Sequence, residues 1–146
     1  MPRALIAGYG YVGAATAELF LGDGWEVEGW VARASSLQDR NTQAGSSRHH
    51  DGSSRYRAVD ISDRAAVAEA AAPFDLVIHC ASSGGAEPEG YRRVYTRGER
   101  KLLDILRPLR LLLTSSTPGS AHRVAEWSGQ TSHADPTQET RRLRRK

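Results

Sequence analysis

The chain of 146 residues contains a single cysteine, Cys80, which excludes an internal disulfide and any multi-cysteine metal site. No apolar run approaches the roughly 18 residues that a membrane-spanning helix needs. The first residues also lack the basic segment and apolar block of a secretion signal. Together these absences predict a soluble, cytoplasmic protein without a membrane partner. His49 and His50 sit side by side in a polar stretch, where adjacent histidines read as solvated residues, and they are assigned no role. Tyrosine is absent after Tyr95, and the lysines that follow it are Lys101 and the terminal Lys146.

Hydrophobic residues make up 39% and charged residues 25%, a globular composition at a length of about one domain. The formal net charge of +3 hides an asymmetry, since Arg141, Arg142, Arg144, Arg145 and Lys146 crowd the last six positions. No aromatic residues are interleaved there for base stacking. The run therefore reads as a solvated tail, and nucleic acid is not an expected partner.

The informative stretch is the beginning. Ala4 to Gly8 reads as a short apolar strand, and Gly8-Tyr9-Gly10-Tyr11-Val12-Gly13 opens a helix. This is the G-x-G-x-x-G arrangement of a dinucleotide-binding turn. Gly8 permits the tight turn, Gly10 lets the backbone approach a pyrophosphate, and Gly13 allows close packing of helix on strand. The backbone of Gly10, Tyr11, Val12 and Gly13 then faces the phosphates at the positive end of the helix.

Val12, Ala15, Leu19 and Phe20 repeat at helical spacing, and Gly22-Asp23-Gly24 ends the helix. Trp25 to Val31 follows as a second strand, so the first 31 residues form a βαβ unit. An acidic residue near the end of that strand binds the ribose 2′-hydroxyl in NAD-preferring units. Val31 and Ala32 hold those places here, Glu26 and Glu28 lie too early, and Arg33 comes just after the strand. A guanidinium there can pair bidentately with a 2′-phosphate, which predicts NADP, with NAD as the alternative.

Residues 34–55 are polar and lack apolar periodicity, reading as a loop. Tyr56 to Val59 is a third strand. Asp63 or Ser62 can cap the next helix, which runs through Ala65, Val67, Ala68 and Ala71 toward Pro73. Asp60 is left at a strand end facing the cofactor crevice, or forming a local turn. Asp75 to Cys80 is a continuously apolar fourth strand, as a sheet covered on both faces requires, and Ala81 to Gly85 leaves it as a small-residue loop. A long helix begins near Pro88, runs through Tyr91, Val94, Tyr95, Leu102, Leu103 and Leu106, and is closed by Pro108. Leu109 to Leu113 is a fifth strand. Alternating strands and helices imply an α/β fold, a doubly wound, Rossmann-like parallel sheet of five strands in the order 3-2-1-4-5.

Five motifs in a fixed order now carry a resemblance. They are Gly8-x-Gly10-x-x-Gly13, Asp60-Ile61, Val77-Ile78-His79-Cys80-Ala81-Ser82, Tyr91-x-x-Val94-Tyr95-x-x-Gly98-x-x-x-Leu102-Leu103 and Leu112-Leu113-Thr114-Ser115-Ser116. The chain resembles the N-terminal half of the NAD-dependent epimerase/dehydratase family, the extended or atypical short-chain dehydrogenases/reductases. The resemblance implies that Asp60 bonds the adenine amino group and Ile61 packs on the ring. It implies further that Cys80, Ala81 and Ser82 line the path of the pyrophosphate and nicotinamide ribose, and that Ser116 is the catalytic serine holding the substrate oxygen. The activity implied is reversible hydride transfer on a sugar-nucleotide-like or small hydroxyl substrate. Without the family, Asp60 reads as a turn former, Cys80 as a small buried hydrophobe and Ser116 as a strand-end hydroxyl.

The departures are equally specific. The family completes its site with Tyr-x-x-x-Lys, and no such pair follows Tyr95. The family's asparagine is replaced by Tyr95 itself. Pro118-Gly119-Ser120 stands where the family continues Val-Tyr-Gly. The sequence therefore predicts a truncated Rossmann domain over residues 1–117 and an irregular basic tail over 118–146. A non-catalytic dinucleotide-binding module is the alternative to the enzyme. The sheet edge left by missing strands predicts a homodimer.

Overall fold

The computed structural model describes residues 1–35, 54–83 and 88–114. The described chain forms one five-stranded sheet in the order β3-β2-β1-β4-β5, with every neighbouring pair parallel. The strands are β1 (Arg3–Ala7), β2 (Glu26–Val31), β3 (Ser54–Ala58), β4 (Leu76–His79) and β5 (Arg110–Leu113). Helix α1 (Tyr11–Gly22) joins β1 to β2, and α2 (Arg64–Glu69) precedes β4. Helix α3 runs continuously over 88–106 into β5.

Alternation along β1 divides the core into two layers. Ala4 and Ile6 join Val27, Val31, Leu76, Ile78 and Ala17 of α1 in one cluster. Leu5 and Ala7 join Trp30, Val77, Val67 of α2, and Val94, Leu102 and Leu106 of α3 in the other. Fully buried side chains such as Leu5 and Ile6 each contribute about 1.5–3 kcal/mol relative to exposure.

Helix α1 corrects the expected apolar face. Val12 is 54% exposed and Leu19 71% exposed. The helix instead buries Gly13 and Ala17, with Ala14, Phe20 and Leu21 packed beside them. The helix is apolar nearly all round, so periodicity alone does not fix its rotation; close approach does. A Cβ on Gly13 would collide with the Gly8 carbonyl and stand 2.9 Å from Ile6 Cγ2, so the small Gly13 and Ala17 turn to the sheet while Val12 and Leu19 face out.

Two boundaries also differ from the sequence reading. Strand β3 begins at Ser54, ahead of the expected Tyr56 and inside the stretch read as loop. Helix α2 ends at Glu69, buries Val67 and leaves Ala65, Ala68 and Ala71 exposed. Of the two candidate caps the structure uses Asp63, whose Oδ1 accepts from Ala65 N at 2.9 Å and Ala66 N at 3.3 Å.

Helix α3 buries Val94, Gly98, Leu102 and Leu106, residues spaced by four. At 3.6 residues per turn such a stripe drifts by about 40° per step and about 120° over its length. Wider π-helical turns at Arg92–Gly98 and Leu102–Leu106 hold more residues per turn and keep the stripe on the sheet. Arg107, at φ 45°, then ends the helix ahead of Pro108.

Candidate dinucleotide-binding site

Strand β1 delivers the glycine turn to the carboxyl end of the sheet. Gly8 adopts φ +100°, a conformation that glycine alone enters without strain. A Cβ there would strike the backbone of Ala81, bringing the end of β4 against the turn. Gly8 N and Tyr9 N both donate to the carbonyl of Trp30, at 3.0 and 2.9 Å, which ties the turn to the end of β2. Gly10 is different: a Cβ placed on it meets nothing within 4 Å. Gly10 caps α1 with no side-chain hydrogen bond, and no acidic residue lies in the first turn. An exposed, uncapped helix N-terminus behind an open glycine suits a pyrophosphate, so the residues present fit a dinucleotide. Tyr11 and Val12 are exposed in that first turn.

Tyr9, between the glycines, carries no role in the sequence motifs. It is 7% exposed, stacks edge-on against Tyr56 with centroids 4.8 Å apart, and lies over Gly29, whose Cβ would stand 2.9 Å from Tyr9 Cγ. The sequence signal for it is Gly29 itself, since glycine inside a strand marks close approach of another group.

At the end of β2 both early glutamates are engaged in structural pairs. Glu26 pairs with Arg3 at 3.3 Å. Glu28 is 6% exposed, accepts from Trp30 Nε1 at 2.8 Å and faces Arg3 and Arg57 at 3.6 and 3.9 Å. Arg33 lies exposed just past the strand.

Asp60 follows Val59, whose N–H donates to Val31 at 2.8 Å, so the ends of β2 and β3 lie together. Asp60 Oδ1 accepts from Ser62 N at 2.8 Å, the bond of a local turn former, while the residue itself stays exposed. Partial burial opposes ionisation, but the Ser62 hydroxyl and amide, with the charges of Arg93 and Lys101, outweigh it and hold the carboxyl below its ordinary value of 3.8. Ile61 is buried at 5% exposure against Gly98 of α3, where a Cβ would stand 3.0 Å from Ile61 Cδ1.

Cys80 and Ala81 are half-buried and Ser82 exposed. Burial pushes the Cys80 thiol above its ordinary value of 9.0, partly offset by the Thr114 side chain. His79, one residue earlier, is fully buried. Burial holds its pKa below the ordinary 6.5, so the neutral ring donates from Nε2 to the Val94 carbonyl at 3.1 Å. Its ring lies 5.8 Å from Tyr95, which lies 4.8 Å from Tyr91. Thr114 donates to the His79 carbonyl through N–H and hydroxyl, at 3.0 and 3.1 Å. Ser116 lies outside the described residues, as do residues 36–53 of the polar stretch and the tail from 118 onward. Among the described residues no helix is long and apolar enough to cross a membrane, and no group of three or more His, Cys, Asp or Glu could hold a metal ion.

The structure is similar to an epimerase candidate from Burkholderia cenocepacia J2315, with 28% identity and a TM-score of 0.71 over 98% of this chain and 46% of that one. A UDP-Glc/GlcNAc 4-epimerase from Campylobacter jejuni aligns at 19% identity and a TM-score of 0.75, over 99% and 46%. A short-chain dehydrogenase/reductase superfamily protein from Agrobacterium tumefaciens with bound NAD aligns at 18% identity and a TM-score of 0.71, over 97% and 42%. The chain thus spans a little under half the length of these structures. No curated protein matches it. The profile of the NAD dependent epimerase/dehydratase family covers residues 4–142, and with the glycine turn, the 3-2-1-4-5 sheet and these likenesses in agreement, the chain belongs to that family.

Proposed function

We propose that this chain binds NADP through the Gly8–Gly13 turn and performs epimerase/dehydratase-type chemistry on a sugar-nucleotide-like or small hydroxyl substrate. The observation that carries the reading is the open Gly10 before the uncapped N-terminus of α1, in a chain of this family. A nicotinamide held there supplies reversible hydride chemistry. The chain's own residues orient it: the turn seats the pyrophosphate, Asp60 receives the adenine amino group, Ile61 backs the ring, and Cys80, Ala81 and Ser82 border the path to the nicotinamide ribose. Ser116 holds the substrate oxygen. Arg33 supports NADP over NAD, because Glu26 and Glu28 are engaged by arginines and no carboxylate stands at Val31 or Ala32.

A second reading, a dinucleotide-binding module without catalysis, is favoured by the absence of a Tyr-x-x-x-Lys pair from these residues. Fluorescence titration with NADPH and NADH, followed by an absorbance assay with candidate hydroxyl substrates, separates the two. Binding with turnover supports the enzyme, binding without it the module, and no binding rejects both. Arg33→Ala is expected to weaken NADPH binding more than NADH binding; an equal loss removes the NADP preference.

A further inference from the structure

Helix α3 runs antiparallel to the strands it connects, so its N-terminal turns lie at the carboxyl end of the sheet. It is docked on the Asp60–Ser62 turn at two points. Gly98 admits Ile61, and Lys101 Nζ donates to the Ser62 carbonyl at 2.6 Å. Arg93 lies on the same helix, nearer the N-terminus and hence nearer the crevice. Its guanidinium is exposed and makes no hydrogen bond or ion pair among the described residues. The neighbouring arginines differ: Arg97 pairs with Glu89 at 2.7 Å and Arg92 faces the same carboxylate at 3.9 Å. Arg93 and Lys101 are the two cations whose charge reaches Asp60, and Lys101 is already bonded to the turn.

We infer that Arg93 is a cofactor-binding residue that covers the outer face of the adenine ring, with Ile61 against the inner face and Asp60 at the ring's edge. This rests on the dinucleotide reading above and adds a residue that none of the sequence motifs contains. A guanidinium suits the role because it is planar and weakly hydrated, and it stacks on flat π systems as an ammonium does not. Its charge, which reaches Asp60, also limits the charge that a phosphorylated cofactor meets at that end of the crevice.

The test compares wild type, Arg93→Ala and Arg93→Lys in fluorescence titrations with NADH and with reduced nicotinamide mononucleotide, which has no adenine. ADP-ribose competition serves as the adenine-only arm. Arg93→Ala is expected to weaken NADH and ADP-ribose binding by about 3- to 10-fold and to leave the mononucleotide unchanged. Arg93→Lys, which keeps the charge and loses the plane, is expected to bind NADH nearer to the alanine variant than to wild type. Unchanged NADH and ADP-ribose binding in Arg93→Ala overturns the inference, and so does full recovery in Arg93→Lys. Equal losses for NADH and the mononucleotide overturn it as well, by showing a general effect on the fold. Absence of NADH and ADP-ribose binding in wild type overturns the dinucleotide reading itself, an outcome distinct from a failure at Arg93 alone.

Discussion

Tyr9 lies over Gly29, with Tyr9 Cγ 2.9 Å from where a Gly29 Cβ would stand. The Gly8–Gly13 turn is thereby fixed from below by an aromatic ring seated on a bare strand position, and the edge-on Tyr56 ring closes the other side. Gly29→Ala is expected to lower stability by about 1–3 kcal/mol, the usual cost of overpacking, and to weaken NADH binding because the turn must lift. Gly22, at the end of α1, has open space around it, and a Cβ placed there meets nothing within 4 Å. Gly22→Ala is therefore expected to raise stability by about 0.4–1 kcal/mol. Urea denaturation of both variants beside wild type checks the pair.

The sheet order and the glycine turn are legible in the sequence because strand runs such as Leu76 to Ile78 are continuously apolar and Gly8, Gly10 and Gly13 each answer a local steric demand. The buried face of α1 is not legible, because Val12 and Leu19 carry the same apolar signal as Ala14 and Phe20, and only contact with β1 selects Gly13 and Ala17. Arg93 is invisible for a different reason. Its electrostatic reach to Asp60 depends on how α3 docks on the 60–62 turn, a relation between residues more than thirty positions apart.

The Asp60–Asp63 turn contains two carboxylates with different work. Asp63 caps α2, and Asp63→Ala is expected to cost about 1 kcal/mol at neutral pH. Asp60 has a lowered pKa, so the folded state holds its proton less tightly than the unfolded chain. Its stabilising effect is therefore full above the ordinary 3.8 and is lost as pH falls below it. Asp60→Asn should flatten the acid limb of the stability profile below about pH 4, measured by thermal melts across that range. A limb as steep as wild type would show that Asp60 is not linked to folding.

The two edges of the sheet differ in chemistry. β3 carries Arg55 and Arg57, charges of the kind that discourage edge-to-edge pairing. β5 exposes Leu112 at 52% and Leu113 at 48%, next to Leu109 at 83%. This chain is expected to self-associate through β5 with rising concentration, and Leu112→Lys is expected to shift it toward monomer in sedimentation equilibrium. Identical sedimentation of the two proteins would place any association elsewhere.

His79 links β4 to α3 through a single bond to Val94 in a π-helical turn. Its Nδ1 is buried without a hydrogen-bond partner among the described residues, and burial outweighs what the backbone at Val94 and at His79 itself offers a charged ring. The facing groups are the Tyr95 ring and, further along α3, the Glu99 carboxylate, whose attraction is smaller than the effect of burial. With the folded pKa below the ordinary 6.5, the unfolded chain binds more protons as pH drops through that value. Stability is then full above about pH 6.5 and falls as pH goes lower, by up to about 1.4 kcal/mol per pH unit. His79→Phe retains a flat ring but removes the titration. It is expected to be less stable than wild type at pH 8, where the Val94 bond is lost, and to show a shallower decline between about pH 6.5 and 5. Parallel slopes for the two proteins in urea denaturation over that interval would mean that His79 does not carry the pH dependence.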